Sequence, residues 1–269
     1  MAKVAVFNLN KNKVADKDLP VQFNEEYRPD LIKRAVHALM SAARQKYGAH
    51  PDAGMRHSSK LSKRRRKYRG SYGLGISRVN RKILSRRGTR FNWVGAFSPQ
   101  TVGGRRSHPP KAEKMWVQKI NQKENRKAIR SAMSATLNKK IVEKRGHNIP
   151  ENYPFIINSD FESIKTTKEV NKALAHFGFD KELDRSKVKT IRAGIGKMRG
   201  RKYKTKKGIL MVVSGDCHLI KSAKNIPGLD IVEVKAINAE LLAPGAVPGR
   251  VTLWTEKAVD AISKENLFK

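Results

Sequence analysis

The stretch Gly208–Gly215, GILMVVSG, decides the fold. Five consecutive apolar residues lie between two glycines, with β-branched Val212 and Val213 near the centre. A run this short and this apolar fits a strand covered on both faces, the condition of strands in a parallel sheet. Working outward, VTLWTE (Val251–Glu256), DIVEV (Asp230–Val234), PFIINS (Pro154–Ser159) and VAVFNL (Val4–Leu9) read as further strands. Between them lie segments with helical spacing. Pro29-Asp30 opens one in which Ile32, Ala35, Val36, Leu39, Met40 and Ala43 share a face. Asn121 followed by Glu124 resembles a capping box. It opens a long helix with rows Ala128, Ala132, Thr136 and Ile129, Met133, Leu137, Ile141, stopped by Gly146. Thr167–Phe177 aligns Val170, Leu174 and Phe177. The alternation predicts an α/β, three-layer domain around a mostly parallel sheet. Strand order is not readable from these patterns.

Charge adds a second layer of organisation. The chain has 269 residues, with 58 Lys plus Arg against 23 Asp plus Glu, a formal net charge of +35. Self-repulsion on that scale disfavours a compact free protein, and a polyanion relieves it. Phosphates release condensed counterions when Lys and Arg replace them, so nucleic acid is the leading partner. One cysteine, Cys217, excludes an intramolecular disulfide and a Cys-based zinc finger. No run approaches about 18 apolar residues, so no transmembrane helix is expected. The opening MAKVAVFNLNKNK is too briefly apolar for a signal peptide. A soluble protein of a reducing compartment is the expectation, and 39% hydrophobic residues suffice for one sizeable core.

The charge is concentrated. Ala53–Ala112 holds seventeen Lys or Arg and no carboxylate in sixty positions, interleaved with Gly, Ser and single aromatics. Arg185–Gly215 holds eleven more, again without a carboxylate. The other 178 residues share only +7. Residues 1–52 and 113–269 are therefore read as a globular α/β domain, and 53–112 as an extended basic RNA-penetrating loop. A loop of that length runs out and back over at most roughly 100 Å, against a radius of gyration of roughly 17 Å for the body.

Its residue types suit RNA. Arg and Lys neutralise phosphates, aromatics offer faces to unpaired bases, and the glycines permit close approach. On the outgoing side the candidate RNA contacts are Arg56, Lys60, Lys63, Arg64, Arg65, Arg66, Lys67, Tyr68 and Arg69. Around the centre they are Arg78, Arg81, Lys82, Arg86, Arg87, Arg90, Phe91 and Trp93, with Tyr72 and Phe97 as further stacking faces. Arg105, Arg106, His108 and Lys111 follow on the return. The second stretch supplies Arg192, Lys197, Arg199, Arg201, Lys202, Tyr203 and Lys204. A solvated charge run or a targeting patch has a similar composition but not the interleaved aromatics.

No catalytic constellation stands out. Gly194, Gly196 and Gly200 are spaced one residue too far apart for a dinucleotide loop, and Met198 after Lys197 breaks the P-loop pattern. Cys217 and His218 are adjacent in sequence, which rarely points two side chains at each other. His37 and His147 lack metal-ligand spacing. Asp160, Glu162 and Asp216 form the rival reading, a metal-dependent RNA-processing enzyme; Asp160 and Glu162 equally suit a helix N-terminus. A chromatin-type DNA binder is a third.

Four strings, VGAFSPQTVGGRRSHPPKAEKMW, KENRKAIRSAMSAT, IRAGIGKMRGRKYK and LLAPGAVPGRVTLWTEKA, occur in order between Val94 and Ala258. Together they resemble the L-four family of large-subunit ribosomal proteins, in its archaeal form, and the chain ends about where archaeal members end. The resemblance implies a structural protein of translation, not an enzyme, in the cytoplasmic ribosome. It implies a globular domain bound to large-subunit rRNA and an extended loop lining the narrow part of the nascent-peptide exit tunnel. The tip would lie between about Tyr72 and Pro99. The implied partners are the rRNA, neighbouring large-subunit proteins and the nascent peptide near the tip. No cofactor, metal, membrane or homo-oligomer is implied.

Overall fold

The computed structural model describes residues 3–269. Met1 and Ala2, with which the globular domain was expected to begin, lie outside the described residues. The strands are β1 (Lys3–Phe7), β2 (Lys13–Asp18), β3 (Arg81–Arg87), β4 (Arg90–Gly95), β5 (Ile156–Ile157), β6 (Lys189–Ile191), β7 (Tyr203–Thr205), β8 (Leu210–Val213), β9 (Asp230–Glu233) and β10 (Thr252–Thr255). The helices are α1 (Pro29–Ala42), α2 (Gln122–Leu137), α3 (Lys139–Lys144), α4 (Thr167–His176), α5 (Asp180–Lys187), α6 (His218–Ala223), α7 (Ala239–Leu242) and α8 (Glu256–Lys264). The chain divides into two compact units, one of residues up to Ala43 and from Val117 to Lys269, the other Arg44–Trp116.

The first unit is the α/β body. Its sheet has the order β2-β1-β5-β10-β8-β9. Every pairing is parallel except β1 with β2. GILMVVSG forms β8, one strand in from the edge, and alternate residues enter different cores. Leu210 and Val212 join Ile156 and Trp254 with α1, α2 and α8 residues on one face. Met211 and Val213 join Ile157 and Leu253 with α4 and α6 residues on the other. A strand serving two cores has no polar face, so its sequence is a continuous apolar run. The three layers and the mostly parallel sheet are those expected from the sequence.

Several local expectations need correction. β2, KVADKD, was not anticipated: it is an exposed edge strand held by its pairing to β1, so it carries no apolar alternation. PFIINS contributes only Ile156–Ile157 as strand, because Asn158 accepts a hydrogen bond from the Ser159 N–H at 2.6 Å and starts a tight turn. The capping box at Asn121 does not form. Asn121 makes no side-chain cap, and Glu124 instead meets Arg34 at 3.0 Å. The row ending at Ile141 is interrupted at Asn138, which leaves helical geometry (ψ 104°) and caps α3 through the Lys140 N–H.

A polar knot lies within the body. Glu182 on α5 is fully buried. It accepts hydrogen bonds from His147 Nδ1–H at 2.6 Å, the Asn148 N–H at 3.0 Å, and Arg185 at 2.6 and 2.8 Å. Burial alone would raise its pKa, but these donors outweigh it and hold the carboxyl down at about 2. Burial lowers the pKa of His147, whose Nε2 has no partner, so the ring is neutral. Both groups bind protons more readily in the unfolded chain, and stability is therefore lost as pH falls. The His147 share begins to go below roughly pH 6.5. The Glu182 share is complete above its ordinary 4.5 and disappears as pH falls toward about 2; it is worth roughly 3 kcal/mol. Thermal melts at pH 7 and pH 3 should show a smaller acid loss for Glu182→Gln than for the native chain. Equal losses would mean that other carboxylates carry the acid sensitivity.

Candidate nucleic-acid interface

The Arg44–Trp116 unit begins with two legs running side by side. The Ala49 N–H donates to the Pro110 carbonyl at 2.9 Å. Gly54 has a positive φ of 75°, and a Cβ there would lie 2.6 Å from the Arg105 backbone, so only glycine lets the legs close. Farther out, the segment expected to be irregular contains an antiparallel hairpin, β3 with β4. Arg87 pairs with Arg90 across a two-residue turn, and Gly88 supplies the positive φ (58°) that such a turn needs first. Hydrophobic periodicity could not announce this hairpin, because its stabilising face is aromatic and cationic rather than aliphatic.

That face is held together by ring and guanidinium contacts. Phe91 and Trp93, two apart on β4, have ring centroids 5.2 Å from each other, and Tyr68 lies 5.2 Å from Phe91. Arg86 Nη1 donates to the Tyr68 hydroxyl at 2.8 Å. The Arg81 guanidinium lies 5.4 Å from the Trp93 centroid, and that of Arg78 lies 4.4 Å from Tyr72. The aromatics expected to meet bases thus also hold the hairpin to its outgoing leg. In KRRRKYRG, Arg66 and Arg69 have positive φ, so the run turns and its cations do not share a helical face.

The predicted contacts fall in three places. Arg56, Lys60, Lys63–Lys67 and Arg69 lie on the outgoing leg; Arg78, Arg81, Lys82, Arg86, Arg87 and Arg90 are in or next to the hairpin; Arg105, Arg106, His108 and Lys111 lie on the return. Arg81 and Lys82 are half-buried, and the other basic side chains of this set are exposed. The second stretch belongs to the body, where β6 and β7 form a separate antiparallel hairpin. Lys197, Arg199, Arg201, Lys202 and Lys204 are exposed there, and Arg192 is half-buried.

Among the described residues, no Lys or Arg of 44–116 or 189–206 forms an ion pair with a carboxylate. The rest of the body behaves differently. Lys17 meets Asp260 at 2.6 Å, Arg130 meets Glu25 at 2.7 Å, and Arg250 meets Asp230 at 2.6 Å. Among the described residues, eleven of the thirty Lys and Arg in the rest of the body make such pairs, whereas along the arms none does and the cations are left for an outside partner.

Four residues escaped the sequence reading. Tyr47 and Trp116 stack with centroids 4.6 Å apart. Arg44 and Lys114 lie 5.5 and 5.0 Å from the Trp116 ring. Tyr47, Lys114 and Trp116 join His108, Pro109 and Lys111 around a hollow of about 710 Å³. Asp52 and Glu113 end the acid-free count just inside this cluster; an aromatic next to basic residues on each leg was the available signal.

The carboxylates of the nuclease reading are used otherwise. Glu162 is buried and accepts from the Ser214 N–H (3.0 Å), Ser214 Oγ (2.8 Å) and Thr255 Oγ (2.6 Å), joining the ends of β8 and β10. Asp160 accepts from Asn158 Nδ2 at 2.8 Å, and Asp216 is exposed. Burial pushes the Cys217 thiol up, away from a reactive thiolate. Among the described residues, no group of three or more His, Cys, Asp or Glu is placed to hold a metal ion.

A two-core α/β body bearing unpaired cationic and aromatic arms defines a protein built to meet a polyanion. The chain belongs to the ribosomal protein L4/L1 family, which it matches over residues 18–265. It is 48% identical over 267 residues to large ribosomal subunit protein uL4 of Nanoarchaeum equitans, covering 99% of each chain. It is 44% identical to uL4 of Archaeoglobus fulgidus, over 97% of this chain and 98% of that one. For uL4 of Methanocaldococcus jannaschii the identity is 43%, with the same coverage. The resemblance drawn from the four strings is borne out over nearly the whole length.

Proposed function

We propose that this protein is a structural constituent of the large ribosomal subunit, not an enzyme, that binds large-subunit rRNA in the cytoplasmic ribosome. Residues 53–112 are its RNA-penetrating loop, and the part between Tyr72 and Pro99 contributes to the wall of the nascent-peptide exit tunnel. Neighbouring large-subunit proteins surround the body, and the nascent peptide passes the tip. One observation carries this reading: among the described residues the arms' cations are mostly exposed and none is paired with a carboxylate, while eleven cations of the rest of the body are paired. Such a surface gains most from closely spaced phosphates, and its contacts to backbone and shape select folded RNA over a particular base sequence.

The test is deletion of Ser71–Pro99. The buried members of both hydrophobic cores lie outside residues 44–116. The shortened protein is therefore expected to fold, with a Tm within about 3 °C of the full chain, and to sediment with large subunits through high salt. Chemical probing of the rRNA should change at the tunnel while the body's footprint persists. An unfolded deletion protein would make the loop part of the core. Equal affinity for duplex DNA and folded rRNA would favour a general polyanion binder.

A further inference from the structure

The hairpin of β6 and β7 carries a feature that phosphate neutralisation does not use. Ile195 and Met198 at its tip are 64% and 83% exposed. They lie in the Arg185–Gly215 stretch, which has eleven cations and no carboxylate. The tip is built, not slack. The Arg192 N–H donates to the Lys202 carbonyl at 2.8 Å and its Nε to the Arg201 carbonyl at 3.0 Å. The N–H groups of Arg199 and Arg201 both donate to the Gly196 carbonyl, at 3.2 and 3.1 Å. Ile195–Lys197 is a single 3₁₀ turn, and the Met198 N–H donates to the Ile195 carbonyl at 3.0 Å. With three residues per turn, positions 195 and 198 stand on the same side. Two apolar side chains are thus presented together, with Lys197 and Arg199 next to them in the chain.

Water is a poor solvent for such a pair, and a purely electrostatic grip has no use for it. The occupant must be anionic around its edge and apolar at its centre. Unstacked bases between phosphates have that chemistry, and folded RNA displays them at bulges and junctions. We propose that the β6–β7 tip is a base-contacting wedge. Ile195 and Met198 lie against the faces of unpaired bases in large-subunit rRNA, while Lys197, Arg199, Arg201 and Lys202 hold the flanking phosphates. The proposal rests on the rRNA-binding reading and adds a non-electrostatic contact to it.

The experiment titrates the full-length protein against transcribed large-subunit rRNA at several salt concentrations. It compares the native chain with Ile195→Ser/Met198→Ser and with Lys197→Ala/Arg199→Ala. The serine pair is expected to bind about tenfold more weakly at every salt concentration, with an unchanged slope of log affinity on log salt. The alanine pair should flatten that slope by roughly 1.5. On a fully paired RNA duplex the serine pair should match the native chain. All four side chains are exposed, and circular dichroism verifies that each variant is folded. Native affinity of the serine pair for the rRNA at every salt concentration overturns the wedge. So does a loss confined to anionic phospholipid vesicles, titrated in parallel with the same three proteins, which would reassign the tip to a membrane surface. A flat salt response of the native chain would instead remove the underlying RNA reading, so the two failures are distinguishable.

Discussion

Raising monovalent salt from about 50 to about 200 mM should weaken binding of the full-length protein to its rRNA by roughly a thousandfold or more. The magnitude follows from the free cations. Residues 53–112 alone present seventeen Lys and Arg, and contact by even half of them would neutralise about eight phosphates, each releasing most of a counterion. Internal ion pairs would blunt the response, because a cation already paired releases little on binding. Among the described residues none of these seventeen is so paired. Replacing Arg64, Arg65, Arg66 and Lys67 together by alanine should reduce the slope by about 3 without altering the melting temperature, since all four are exposed. Filter binding or fluorescence anisotropy across the salt range reads both quantities. A response below about tenfold would mean that phosphate neutralisation is not the main source of affinity.

Arg250→Met should lower the unfolding free energy by about 3–5 kcal/mol, the range for breaking a buried ion pair from one side. Arg250 is 1% exposed, among the most buried large side chains of the body. Its Nε donates to the Gly208 carbonyl at 2.8 Å, and its Nη1 to the Leu241 carbonyl at 3.1 Å. Its Nη2 donates to the Ile209 carbonyl at 3.4 Å and to Asp230 Oδ2 at 2.6 Å. One side chain thus joins the entry to β8, the end of α7 and the start of β9. Methionine fills much of the volume but leaves these acceptors unmatched, and Asp230 keeps only Lys207, at 2.9 Å. Burial would raise the Asp230 pKa, but the charge of Arg250 and the hydrogen bonds of Lys207 and Arg250 hold it below the usual carboxylate range. The variant should consequently lose part of its acid sensitivity as well. Arg250→Lys restores the charge without the fork and should recover less than half of the loss. Urea midpoints for the three proteins settle the order; a loss under about 1 kcal/mol would mean that water replaces the guanidinium.

These two expectations draw on different kinds of information. The salt response was legible in the sequence, because seventeen cations without a carboxylate in sixty positions is a property of composition. The Arg250 network was not. Nothing in PGRVTLW marks one arginine of a very basic chain as buried; its partners come from residues 208–241, assembled only when β8, β9 and β10 lie side by side. The same division applies to the strands. GILMVVSG was readable because both its faces are covered. KVADKD was not, because an edge strand can be polar throughout. The arm hairpins escaped because cation–aromatic contacts and main-chain pairing leave no periodic apolar signature. Tyr47 and Trp116 were missed because their pairing joins positions nearly seventy residues apart in the chain.

By itself, then, the sequence determined the α/β class, the identity of the buried strands, the local concentration of charge and, through four ordered strings, the family. Those are properties of composition and short-range pattern, and they survive without knowledge of who touches whom. The tertiary structure decided the strand order, the split of β8 between two cores and the conversion of Glu162 and Glu182 into buried cross-links. It also decided which cations are spent internally and which remain free. Pairing is a matter of distance across the chain, and only folding sets those distances.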